Sequence, residues 1–151
     1  MSFVPSRLKI ERANKHIADF GASVVAFLQA NTYTVRVEKD PESGDSLLQY
    51  GWANPAPIEK FSLVVGDAVH NLRSALDLAW NEVVSISNFS KFPIFETEEK
   101  LVTALRGRKM HEASPELWRL IVDVIKPYER GNNSIWAIHR LDIWRVAHPL
   151  A

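Results

Sequence analysis

Between Pro57 and Asn88 the sequence carries one helical repeat that no proline interrupts. Taking Phe61 as reference, Val64, Val65, Ala68, Leu72, Ala75, Leu76, Ala79 and Val83 return to one side of the helix. That spacing predicts a helix from Ile58 to about Ile86 with one apolar face.

The other face has an unusual composition. A solvated helix face is normally filled with Lys, Glu and Gln, which are good helix formers and well hydrated. Here there is no Lys between Phe61 and Asn88, and the only Glu is Glu82. Asp67, His70, Arg73, Ser74, Asp77 and Asn81 stand in their place. These are short or directional hydrogen-bonding groups, suited to a specific partner. Leu63 and Leu78 fall on the same side, so that side is expected to be partly covered.

Leu8, Ala13, Ile17, Phe20, Val24, Phe27 and Leu28 predict an earlier helix from Ser6 to about Ala30, with Ser6 as its N-cap. Thr32 to Glu38 alternates and is rich in β-branched residues, and Leu47 to Trp52 forms a second strand. Asp40-Pro41-Glu42-Ser43-Gly44-Asp45 joins them as a turn. A lone hairpin is marginally stable, so this one is expected to pack on helices. Three more helices follow: Thr97 to about Arg108, Pro115 to about Ile125 behind a Ser114 cap, and Ser134 to about His148. The expected fold is mainly α, one domain over residues 1–151, with about five helices and a β-hairpin between the first two.

Composition narrows the function. At 46% hydrophobic and 10% aromatic residues, the chain can fill a core. The 18 basic residues equal the 18 acidic ones, so no broad basic footprint for nucleic acid exists. Low net charge also offers little protection against self-association. With no cysteine, disulfides, thiolate metal sites and a cysteine nucleophile are excluded. No signal peptide or membrane span is evident, and a cytoplasmic location is expected.

Two constellations carry candidate chemistry. On the long helix, His70 and Arg73 are three apart and Arg73 and Asp77 four apart, so neighbours can touch. Asp67 and Ser74 extend the same face. A histidine flanked by carboxylates suits acid–base work, and the arginine suits a phosphate or carboxylate. On the last helix, His139 and Asp142 share a face, as do Arg145 and His148. If the two helices pack together, the two sets converge. The architectural alternative is an ordinary Arg73–Asp77 pair, with His70 capping a neighbouring carbonyl. Metal-ligand spacings, phosphate loops, dinucleotide fingerprints and nucleophile elbows are all missing, so no metal and no cofactor is expected. His16 and His111 read as isolated surface histidines.

The segment Gly66-Asp67-Ala68-Val69-His70-Asn71-Leu72-Arg73-Ser74-Ala75-Leu76-Asp77 resembles an uncharacterised bacterial family with a G-D-x-x-H-N-L-R-S-A-L-D helix. The resemblance continues through Phe92-Pro93-Ile94-Phe95, Ile125-Lys126-Pro127-Tyr128 and Ile138-His139-Arg140-Leu141, and implies no particular activity. More loosely, the pattern resembles the HEPN superfamily of helical ribonucleases and nucleotide-binding proteins. Those pair an Arg with a nearby His, usually across a dimer. Here Leu78 stands where that His is expected, and Arg145-Val146-Ala147-His148 replaces the second signature.

The leading expectation is a helical binding or interaction module, a homodimer, with a polar site built from Asp67, His70, Arg73, Ser74, Asp77, His139, Asp142 and His148. A small anionic ligand or RNA is the candidate partner. The alternatives are a metal-independent HEPN-like ribonuclease, with Arg73 on the scissile phosphate and His70 or His148 as acid/base, and a purely structural polar network.

Overall fold

The computed structural model describes residues 2–84 and 90–147. Among them the order is α1 (Val4–Ala30), β1 (Tyr33–Lys39), β2 (Ser46–Trp52), α2 (Ile58–Val83), α3 (Glu98–Gly107), α4 (Met110–Ala113), α5 (Pro115–Arg119) and α6 (Asn133–Ala147). A π-helical turn, Leu120–Ile125, continues α5. The fold is mainly helical with one hairpin between the first two helices, as the periodicity predicts. The sixth helix is α4, a single turn too short to leave a repeat in the sequence.

α1 and α2 run as a long antiparallel pair joined by the hairpin. Edge-to-face rings stitch their distal halves: Phe61 meets Phe20 at 5.5 Å and Phe27 at 6.3 Å. The other flank of α2 faces α6 and the main core. Trp80, Phe92, Ile94, Leu101, Leu105, Met110, Ile121 and Val122 bury one another there, with Leu76, Trp118 and Trp136 around them. The core therefore sits at the C-terminal half of α2. Among the described residues, the hairpin end has two helices and no third layer. Among the helices, α1 packs substantially on α2 alone.

α1 starts two residues before the predicted cap. Phe3 takes a left-handed conformation ahead of the first turn. Ser6 is buried inside the helix, its hydroxyl donating back to Phe3 O at 2.9 Å, so it is no N-cap. The cap comes from α2 instead: Ser2 N–H and Phe3 N–H donate to Glu82 Oε2 at 2.9 and 2.8 Å. A carboxylate there satisfies orphan amides and complements the helix dipole.

The hairpin turn is built as its residues dictate. Asp40 Oδ1 accepts from Glu42 N–H at 2.8 Å, and Gly44 takes φ +74°. The Glu42 amide, and after it that of Ser43, hold the Asp40 carboxyl below its ordinary range. The expectation that the hairpin packs on helices holds only at its base. There Trp52 meets Phe27 at 5.8 Å, and Asn54 N–H donates to Asn31 Oδ1. Beyond the base, Val35, Val37, Leu48 and Tyr50 are exposed, because no further layer among the described residues covers the two-helix end.

Thr97 caps α3, accepting from Lys100 N–H at 3.2 Å. Ser114 precedes α5, but only its backbone carbonyl takes part, accepting from Trp118 N–H. Lys126 turns left-handed and stops the π-turn ahead of Pro127. Asn132 Oδ1 then accepts from Ile135 N–H and starts α6. Leu63 is 59% exposed, so its stretch of α2 is not covered as its position suggested.

Candidate functional site: the α2–α6 polar cluster

The two predicted constellations do converge, because α6 packs against α2. His70 Nδ1 lies 3.2 Å from Asp142 Oδ1. His139 lies close enough to Arg73, Asp142 and Asp77 to feel all three charges. The α2 polar face nevertheless divides in two. His70 and Asp67 point outward and are exposed. Arg73 and Asp77 turn inward, toward the backbone of Phe92.

Arg73 is only 8% exposed, and its bonds are spoken for. Nη2 donates to Phe92 O at 3.2 Å, while Phe92 N–H donates to Asp77 Oδ1 at 2.8 Å. Arg73 Nη1 lies 2.9 Å from Asp77 Oδ1. That contact departs from hydrogen-bond geometry, so Nη1 is paired by charge rather than by a directed bond. The i,i+4 pair thus holds both backbone groups of Phe92, whose ring stacks edge-on against Trp80 at 5.7 Å. None of these contacts includes Asp67 or Ser74; Ser74 sits half-buried beside Arg73 on α2. His148 lies outside the described residues.

His139 is half-buried. Burial holds its pKa below the ordinary 6.5, and the Arg73 guanidinium pushes the same way, against the pull of Asp142 and Asp77. A neutral imidazole can accept a proton or a hydrogen bond at neutral pH. It borders an open cleft of about 320 Å³ with Ile94, Phe95, Glu96, Lys100, Trp136, Arg140 and Ile143. Arg140 lies over the Trp136 ring at 5.9 Å, and Lys100 pairs with Glu96. Lys100, and then Arg140, keep the Glu96 carboxyl below its ordinary range. The cleft therefore combines apolar walls with two cations and one carboxylate.

Sequence reasoning missed the cleft and three partnerships. Phe92's backbone is the target of Arg73 and Asp77, which no spacing rule reveals. Glu82, the single Glu on a face otherwise free of Lys and Glu, could have signalled a cap. Lys9 Nζ donates to Asn71 Oδ1 at 3.2 Å across the α1–α2 seam. His111 is not isolated, since its ring meets Trp118 at 5.7 Å. Along α1, a shallow groove of about 800 Å³ is bordered by Lys9, Arg12, Lys15 and His16, but Glu11 and Asp19 interrupt its positive charge.

Among the described residues, no group of three or more His, Asp or Glu could hold a metal ion, and no helix is long and apolar enough to cross a membrane. Compared with protein families, with curated proteins and with solved structures, the chain finds no match in any of the three.

Proposed function

We propose that this chain is a helical interaction module that works as a homodimer, with the Arg73–Asp77 pair as internal architecture rather than as a ligand site. The observation that carries this reading is surface area. The chain exposes 10605 Å². A folded monomer of its 17.1 kDa mass exposes ~7,750 Å² by the usual surface–mass scaling. The ten residues outside the described set would add at most ~1,600 Å² if fully extended. More than ~1,000 Å² is left over, which is what one partner buries in an ordinary or obligate interface. Zero formal net charge sets up no long-range repulsion between two copies.

Sedimentation velocity over a range of protein concentrations tests the reading. A mass near twice 17.1 kDa supports it. A monomer at every concentration removes it.

A second reading, binding of a small anion, is favoured by the cleft beside His139. Arg140 and Lys100 offer positive charge there, and Trp136 and Ile94 offer an apolar wall. Calorimetric titration with phosphate and with an aromatic carboxylate tests it, with Arg140→Ala as the comparison. Ribonuclease chemistry on Arg73 fits less well, because its guanidinium already serves Phe92 and Asp77.

A further inference from the structure

The register of the hairpin sorts its side chains completely. Tyr33 faces Trp52, Val35 faces Tyr50, and Val37 faces Leu48 across the two strands. Side chains alternate along a strand, so these six share one face. Thr34, Arg36, Glu38, Leu47, Gln49 and Gly51 occupy the other, where Leu47 is the one large apolar side chain. The six carry no polar group apart from the two tyrosine hydroxyls and the Trp52 indole N–H, and the face ends toward the turn in the Lys39–Ser46 pair. All six residues are at least 45% exposed; Val37 reaches 65% and Tyr50 61%. A two-stranded hairpin is marginal by itself in water, and six large apolar side chains on one face add to the cost of leaving it bare.

The same chain carries an apolar surface of matching shape. On α1, Ile10, Ile17, Val25 and Leu28 are exposed. At 100° per residue they fall within one narrow stripe beside the buried seam of Ala13, Phe20 and Phe27. Gly21 and the exposed, uncharged Asn14 lie in the same stripe, and open space surrounds the position a Gly21 Cβ would take. From Ile10 to Leu28 the stripe runs ~27 Å, and a seven-residue strand spans ~23 Å. Between Tyr33 and Val37, between Leu48 and Trp52, and along the α1 stripe, neither surface bears a charge that would select an acidic or basic partner; Lys39 lies beyond, at the turn end of the hairpin face.

We infer that the hairpin is a dimerisation arm: its Tyr33/Val35/Val37/Leu48/Tyr50/Trp52 face lies on the α1 stripe of a second copy, and that copy's hairpin does the same in return. Two different patches, each used twice, satisfy a two-fold axis and close the assembly at two chains. The exchange supplies the third layer that the hairpin end of the α1–α2 pair lacks. It also accounts for the surplus surface. This inference rests on the homodimer reading and adds the surface that makes the dimer.

The test uses the full chain and its Leu48→Glu, Val37→Glu and Ile17→Glu variants, each compared with the parent by sedimentation and circular dichroism. All three positions are exposed, so helical content should stay within error of the parent. The expected result is a dimeric parent and a dissociation constant raised at least 100-fold in every variant. The chain lacks native cysteine, so a direct contact test is also clean. Mixing Leu48→Cys with Ile17→Cys chains under mild oxidation should give a cross-linked heterodimer in preference to either homodimer. A monomeric parent overturns the dimer reading and the arm together. A dimer unaffected by Leu48→Glu and Val37→Glu overturns the arm and leaves the dimer. Loss of the dimer in the hairpin variants alone, without the Leu48–Ile17 cross-link, overturns α1 as the hairpin's seat.

Discussion

Arg73 and Asp77, one turn apart on α2, hold opposite poles of a single backbone residue. The guanidinium donates to the carbonyl of Phe92, and the carboxylate accepts from its amide. The pair thereby fixes where the chain re-enters the core, with the Phe92 ring set against Trp80. This use explains why an arginine and an aspartate, rather than Lys and Glu, stand at positions 73 and 77.

Arg73→Ala should cost about 3 kcal/mol, because it strands a partly buried carboxylate and frees the Phe92 carbonyl. In a chain of this size that lowers the melting temperature by roughly 6–12 °C. Arg73→Lys should recover only part of the loss, since an ammonium lacks the planar fork. His70→Ala should stay within about 0.5 kcal/mol of the parent, because the His70 ring is itself half exposed. Thermal melts of the three variants check this. An Arg73→Ala protein that melts like its parent removes the architectural assignment.

His139 should titrate below its ordinary 6.5. Folding then favours the neutral imidazole, and the unfolded chain binds more protons between the lowered folded value and 6.5. The stability tied to His139 is complete above pH 6.5, falls as pH drops below it, and levels off beneath the folded pKa. Its ring-proton NMR shift followed against pH gives the value directly. A midpoint at or above 6.5 contradicts the burial and Arg73 argument.

Glu82→Ala should leave the Ser2 and Phe3 amides without their acceptor and cost about 1 kcal/mol, the scale of a lost helix cap. Hydrogen exchange should quicken in the first turn of α1 and stay unchanged in its middle. Uniform protection along α1 in the variant speaks against the cap.

Gly131→Ala should destabilise by about 1–3 kcal/mol through overpacking. A Cβ there would sit 2.5 Å from Lys126 O and 2.7 Å from the Tyr128 ring. Lys126 O also accepts from Tyr128 N–H and Asn132 N–H, so the turn has little freedom to yield. Chemical denaturation is the measurement, and a parent-like midpoint rules out the tight packing.

The long helix, the amphipathic first helix, the hairpin and its turn were all legible in the chain, because each rests on local rules. Periodicity in α2 needs only residues three and four apart. The Asp40–Gly44 turn needs only a side-chain acceptor and a residue that tolerates positive φ. The convergence of His70, Arg73 and Asp77 with His139 and Asp142 was legible as a condition, that α6 should lie on α2. What each residue does there was not. Arg73 is paired with a backbone carbonyl 19 residues away, and no spacing rule sees a carbonyl. Ser6 looked like a cap because Ser before an apolar run usually is one, yet the acceptor came from Glu82, some 80 positions on.

The sequence by itself determined the elements and their faces, since 3.6-residue and two-residue periods are properties of the backbone that any stretch of chain displays. Only the tertiary structure decided which faces are covered. Packing placed the core at the C-terminal half of α2 and left the hairpin's apolar face and the α1 stripe open. Burial is a property of pairs of distant surfaces, and a sequence lists surfaces without saying which ones meet.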